Sequence, residues 1–208
     1  MKVHSIFDSL QGEGYFQGFP TKFVRLYGCN LQCGYCDAQI AVSGGVFQEM
    51  PVSFLAEEIN ESRLNDICIT GGEPFCQKKD LVILLGQIKS KRISIETNGS
   101  FDVSEIANEF KDVHFSIDWK TPSSGNTDFD IRNIEYLKNG KGWLKFVVSD
   151  EKDLMFVTDK LKLLENIEVF VSPVFENGDG WFRIAQKFVL KNHGLRFQLQ
   201  LHKILGIE

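Results

Sequence analysis

The residues most able to do chemistry are Cys29, Cys33 and Cys36, spaced C-x3-C-x2-C in one short segment. Thiolates are ligands for soft metals and for iron–sulfur clusters. Three of them on one loop can hold three irons of a [4Fe-4S] cubane and leave the fourth without a protein ligand. That open iron suits the amino and carboxylate groups of a methionine, and cluster electrons delivered there can break a carbon–sulfur bond of a sulfonium. Zinc is the competing reading, as in a binding module built on a structural metal. Zinc sites usually complete four ligands with a second Cys or His pair. No such pair is visible: Cys68 falls in an apolar strand-like run and Cys76 stands alone. Cys68 reads as a small core residue, and Cys76 as a free thiol near the site or a fourth ligand. Five cysteines, three of them crowded together, do not read as a disulfide framework.

The second motif, Gly71-Gly72-Glu73-Pro74, closes the next strand-like run. Glycines let backbones approach closely, and a carboxylate there could meet an ammonium group. Alone it is only a turn signal. Together with the cysteines, and with Tyr35 just before the third of them, it resembles the radical S-adenosylmethionine (SAM) superfamily. The resemblance implies a cluster on Cys29, Cys33 and Cys36, with SAM as cofactor. It sets Tyr35, Cys36 and Asp37 against the adenine, and Gly72 and Glu73 at the methionine amino group. Glu96 would face the ribose, and Ser116, Asp118 and Lys120 the nucleoside and methionine carboxylate. Ser172, Pro173, Val174 and Phe175 would close over the adenine.

The flanks narrow the resemblance. Ile6 to Gly14, Arg25 and the closing Gln200-Leu201-His202-Lys203-Ile204-Leu205-Gly206-Ile207-Glu208 make the chain similar, nearly end to end, to the 7-carboxy-7-deazaguanine synthase family. That implies a carbon–nitrogen lyase of queuosine and archaeosine precursor synthesis, contracting 6-carboxy-5,6,7,8-tetrahydropterin to 7-carboxy-7-deazaguanine with loss of ammonia. A radical started on SAM takes hydrogen from the pterin and later returns it. Arg25 offers a bidentate fork to the pterin carboxylate. Leu10, Gln11, Gly12 and Glu13 would read the pterin edge, Thr70 and Asn98 would touch substrate, and a strand end at His202-Lys203 would deliver the Glu208 carboxylate. In isolation, Gln-Gly-Glu-Gly is a turn, Arg25 a surface charge and His202 a strand end. The resemblance also implies Mg2+, a homodimer, and a flavodoxin or ferredoxin-like reductant. Two departures stand out. Ala38 replaces the threonine that in many members ligates Mg2+, and Asp118-Trp119-Lys120 stands where many read Ser-Pro-Lys. A radical activase taking hydrogen from a glycine of a partner protein is the alternative; it has no need for Arg25 or a C-terminal carboxylate over a pterin.

These residues need elements to position them. From about residue 50, strand-like runs (67–70, 93–96, 113–118, 143–148, 169–172 and 195–201) alternate with helix-like ones. One helical face carries Leu81, Leu84, Leu85 and Ile88; another carries Leu154, Val157, Leu161 and Leu164. Asp102 and Glu105 form a capping-box pattern. After a first strand near Phe23–Leu26, this alternation predicts parallel βαβ units. At 208 residues the chain is short for a complete eight-unit barrel. The expected fold is therefore α/β, an incomplete (β/α)6 TIM-like barrel open on one side, in a single domain spanning 1–208. Its polar turns fall at strand C-termini, where such folds carry their chemistry. Charge and composition fit a globular protein without a nucleic-acid surface: the net charge is −5 and 43% of residues are hydrophobic. No apolar run is long enough to span a membrane, and Met1 to Ser5 lacks a signal-peptide core, so a cytoplasmic location is expected.

Overall fold

The computed structural model describes residues 1–42, 44–139 and 141–207. The strands are β1 (Lys2–Leu10), β2 (Pro20–Leu26), β3 (Gln48–Glu49), β4 (Asp66–Gly71), β5 (Arg92–Thr97), β6 (Val113–Asp118), β7 (Gly142–Val148), β8 (Val169–Pro173) and β9 (Leu195–Phe197). The helices are α1 (Gln39–Val42), α2 (Val52–Glu61), α3 (Lys78–Gln87), α4 (Ser104–Glu109), α5 (Arg132–Asn139), α6 (Glu151–Lys160), α7 (Gly178–Lys191) and α8 (Leu201–Leu205). One sheet holds the strands in the order β3-β1-β2-β4-β5-β6-β7-β8-β9. From β2 to β9 neighbouring strands run parallel, and β1 is antiparallel to both β2 and β3. The sheet does not close, so the open, barrel-like α/β fold expected from the sequence is observed. Among the described residues, no helix is long and apolar enough to cross a membrane.

Strand periodicity divides the side chains between two faces. Val24, Leu26, Ile67, Ile69, Ile95, Phe115, Ile117, Leu144 and Phe146 point to the helix-covered face. There they pack with Leu55 and Ile59 of α2 and with Leu81, Leu84 and Leu85 of α3. Their alternates Arg25, Thr70, Glu96, Ser116, Asp118 and Lys145 line a cavity on the other face, towards the strand C-termini. Towards the N-termini of β6–β8 that face carries His114, Trp143 and Phe170. The loop after β1 covers these with Tyr15 and Phe16, whose rings lie 5.0 Å from Trp143 and His114 respectively. Gly14 starts this turn at φ +69°, with Trp143 so close that a Cβ would lie 2.3 Å from the indole. Arg92, paired with Asp66, lies 4.5 Å from the centroids of both Phe16 and Phe19.

The same loop is tied to the chain beyond β9. Gly14 N donates to Gln198 Oε1 (2.7 Å), Leu201 N donates to the Gly12 carbonyl (3.1 Å), and Gln17 Nε2 donates to Leu199 O (3.0 Å).

Three local expectations are corrected. The last strand ends at Phe197, and Leu201, His202 and Lys203 lie on the short helix α8, stopped by Gly206 in the left-handed conformation (φ +64°). Asp102 and Glu105 make no capping box: the Asp102 carboxylate accepts from Ser104 N at the start of α4 and pairs with Arg132, while Glu105 pairs with Lys78. Leu161 and Leu164 belong to a 3-10 turn that follows α6.

Candidate active site

The cluster loop leaves the end of β2 and is clasped by the Gly-Gly-Glu turn at the end of β4. Gly72 N donates to Leu26 O (3.0 Å) and Glu73 N donates to Gly28 O (2.8 Å). A Cβ on Gly72 would fall 2.1 Å from Gly28 O, so a side chain there would push the two turns apart. Gly34 N donates to Ser124 O, docking the loop on the segment after β6. Cys29, Cys33 and Cys36 all line one cavity of about 410 Å³. Leu31 N and the Asn98 amide approach Cys29 Sγ (3.4 and 3.7 Å), and the Asn126 amide approaches Cys33 Sγ (3.6 Å). Burial pushes all three thiols above the ordinary cysteine range, so ligation of a metal centre must displace their protons. Among the described residues, no three Cys, His, Asp or Glu side chains converge as one metal ion requires. A cubane sets each thiolate on a different iron, so it needs sulfurs that share a space without converging. The three cysteines fit that group, and Cys68 and Cys76 are apart from the cavity lining.

Glu73 does not face the cavity. Its carboxylate is fully buried and accepts from Phe75 N (3.0 Å), Thr97 Oγ1 (2.8 Å) and Asn98 N (2.7 Å). It clamps the turn to the end of β5 instead of meeting a ligand ammonium. Burial pushes its carboxyl up to about 7, against the pull of those three donors.

On the side expected to take SAM, Tyr35, Asp37, Gly72, Ser116, Asp118, Lys120 and Val174 line the cavity. The Tyr35 hydroxyl lies 3.3 Å from both Thr121 Oγ1 and Val147 O, and burial pushes it up to about 12. Ser172, Pro173 and Phe175 do not line the cavity: the first two are buried in β8, and the Phe175 ring packs against Phe182 (5.8 Å). Of the run Ser172–Phe175 only Val174 lines the cavity: Ser172 shares the face of Phe170 but is fully buried there, and the 3-10 turn after β8 carries Phe175 away.

On the side expected to take the pterin, Leu10, Gln11, Gly12, Glu13, Arg25, Thr70, Asn98 and His202 all line the same cavity. Arg25 stacks over Phe7, 4.9 Å from its centroid. Glu96 lies between the Thr70 hydroxyl (2.8 Å) and the Gln11 amide (3.3 Å), which places it with these residues as much as with a ribose site. Asn98 Nδ2 donates to Asn30 (2.9 Å), bracing the cluster loop. His202 Nε2 lies 3.9 Å from Asp37. Partial desolvation works to raise the Asp37 carboxyl, whose side chain is 49% exposed, but His202, Lys145 and Lys203 hold it well below the usual carboxylate range. Ala38 lines the cavity too, with no oxygen beyond its backbone. Glu208 lies outside the described residues.

Two further residues belong to the site. Lys145, inward-facing on β7, pairs with Glu13 and lies 3.5 Å from Asp118, whose Oδ2 also accepts from Lys120 (2.7 Å). Gln200 bridges Glu13 (2.8 Å) and Asp37 (3.3 Å). A lone lysine on the inward set Trp143, Lys145, Val147 of an otherwise apolar strand was the available signal for the first.

The Radical SAM superfamily model matches residues 23–141. Membership carries a [4Fe-4S] cluster and SAM as cofactors. A 7-carboxy-7-deazaguanine synthase of Methanospirillum hungatei JF-1 is 38% identical over all of this chain and 86% of its own length. Relatives of the same name from Thermoplasma acidophilum and Clostridium acetobutylicum are 34% and 33% identical, over 99% and 98% of this chain and 97% and 95% of theirs. The crystal structure of QueE from Escherichia coli has the same fold, with a TM-score of 0.76 at 20% identity over 97% of this chain and 94% of that one. With cysteines, glycine-rich turn and polar floor gathered on one cavity, and with relatives of one name matching end to end, the chain belongs to the 7-carboxy-7-deazaguanine synthase family of the radical SAM superfamily.

Proposed function

We propose that this chain contracts the ring of 6-carboxy-5,6,7,8-tetrahydropterin to 7-carboxy-7-deazaguanine with loss of ammonia. The observation that supports the reading is that one cavity gathers both sets of residues: three cysteines with the Asp118–Lys120 pair, and Arg25 and Glu13 with the Gln11–Glu96–Thr70 set. The relatives above, matched end to end, do not favour the glycine-activase alternative.

The cluster and SAM, when bound, supply the radical chemistry; the protein supplies position and polarity. Arg25 offers its planar fork to the pterin carboxylate while Phe7 holds the guanidinium flat. Gln11 and Thr70 fix Glu96, and the backbone of Leu10 to Gly12 borders the pterin edge. Asn98 and Glu73 hold the cluster loop and its neighbouring turn in place. Were Mg2+ bound, Asp37 would be the side chain placed to help hold it, since Ala38 provides no hydroxyl; the reaction otherwise dispenses with the metal. The protein works in the cytoplasm as a homodimer and as one domain, with electrons from a flavodoxin or ferredoxin-like protein. Anaerobic incubation of cluster-loaded protein with the carboxypterin, SAM and dithionite tests this. 7-Carboxy-7-deazaguanine and ammonia are the expected products; SAM cleavage that ignores the pterin would refute the substrate assignment.

A further inference from the structure

Six side chains cross the cavity floor in one connected line. Gln200 bridges Asp37 and Glu13, Glu13 pairs with Lys145, and Lys145 and Lys120 share Asp118 Oδ2. Lys145 is the member that no motif accounts for. Its side chain is 12% exposed, and those of Glu13 and Asp118 are 10% and 11% exposed. Glu13, Asp118, Lys120 and Lys145 sum to zero formal charge, so within this quartet each carboxylate has a cation beside it. Within that quartet Lys120 lies closer to Asp118 (2.7 Å) than Lys145 does (3.5 Å). That division leaves the Lys145 ammonium directed chiefly to Glu13, with Asp118 steadying its other side.

We propose that Lys145 is a positioning residue for the pterin, acting through Glu13, whose carboxylate it holds as an acceptor aimed at the amino-pyrimidine edge. This rests on the synthase reading above. Glu13 Oε1 already accepts from Gln200 and Oε2 from Lys145. Each carboxylate oxygen accepts twice, so each keeps one lone pair for a ligand N–H. Without Lys145, Glu13 is a buried carboxylate facing only a neutral amide. It then lacks the charged donor that fixes its Oε2, so the carboxylate is no longer held towards the pterin's own donors.

Calorimetric binding of the carboxypterin to anaerobic, cluster-loaded protein with SAM and no reductant tests this on four chains: native, Lys145→Met, Glu13→Gln and the double variant. Lys145→Met weakens pterin binding by about tenfold or more, the scale of a charge-assisted hydrogen bond, and Lys145→Arg recovers most of it. The double variant binds no more weakly than Glu13→Gln alone, because Lys145 acts only through Glu13. Pterin affinity within threefold of native in Lys145→Met, or losses that multiply in the double variant, would overturn the proposal. If Lys145→Met fails to load its cluster, the uncharged pair in the double variant still decides: equality with Glu13→Gln upholds it, further loss overturns it. A native chain that binds no carboxypterin refutes the synthase reading and this inference together. A native chain that binds while Lys145→Met is indifferent refutes the inference alone.

Discussion

The two ends of the concave face are built from the same strands and do opposite things. At their starts β6, β7 and β8 present His114, Trp143 and Phe170, which Tyr15 and Phe16 cover. One to two turns of the alternation later β6 and β7 present Ser116, Asp118 and Lys145, which line a cavity. The loop after β1 joins the ends, since Gln11 and Glu13 serve the polar side and Tyr15, Phe16 and Phe19 the aromatic one. One end is thus closed by aromatic packing, while charge and space are kept at the other.

The sharpest break of this contrast sets one cysteine against one indole. Cys29→Ala, Cys33→Ala or Cys36→Ala abolishes SAM cleavage and lowers iron content from about four per chain, with folding retained by circular dichroism. Trp143→Ala does the reverse: the buried indole is worth about 3–5 kcal/mol of stability in urea unfolding, while cluster loading survives at low temperature. Cleavage retained in any cysteine variant would end the cluster assignment.

Glu73 tests the polar end by pH. Its folded-state carboxyl is raised from 4.5 to about 7, so between those values the folded protein holds a proton that the unfolded chain has lost. Stability from this group is therefore present at low pH and declines as pH rises towards 7, by as much as ~3 kcal/mol. Urea unfolding of cluster-free protein at pH 5 and pH 7.5 measures it. The drop should vanish in Glu73→Gln, although that variant starts lower because an amide cannot accept from all three donors.

Arg25→Lys sharpens the substrate side. The charge stays and the planar fork is lost, so carboxypterin affinity falls by about 1.5–3 kcal/mol, read by calorimetry, while SAM cleavage without pterin continues. Unchanged affinity would make Arg25 an ordinary surface charge. The smallest effect is expected at Ala38. Turnover responds weakly to Mg2+ in the native chain, and Ala38→Thr strengthens the response by adding an inner oxygen. A steep requirement in the native chain, abolished by chelator, would show that water and substrate suffice.

The parallel strands were legible because their helix-facing positions are Ile, Val, Leu and Phe at a spacing of two, as in β4 and β6. β1 escaped notice because it is half-buried along most of its length and carries a register shift between Val3 and Ser5 that disturbs its alternation. In α8, five residues are too few for a helical period to register. The cysteines and Gly71-Gly72 were legible because their role depends on neighbours in sequence or on backbone approach. Lys145 was not, since its partner Glu13 lies 132 residues away. Glu73 was legible as a residue of the site and misread in its role, because only the folded chain shows that Phe75, Thr97 and Asn98 already occupy its carboxylate.

The bond from Gln200 to Glu13 spans 187 residues, and that from Gly14 to Gln198 spans 184. Contacts so far apart in the chain form late, since the entropy of closing the loop must be met before they contribute. On a ribosome, βαβ units and cysteine loop are free to assemble as they emerge, but the pterin side cannot be completed until the segment after β9 has been made. A nascent chain therefore passes through a stage with its three thiols in place and its substrate end unfinished. In that interval the cysteines are open to cluster delivery without the C-terminal segment across the cavity.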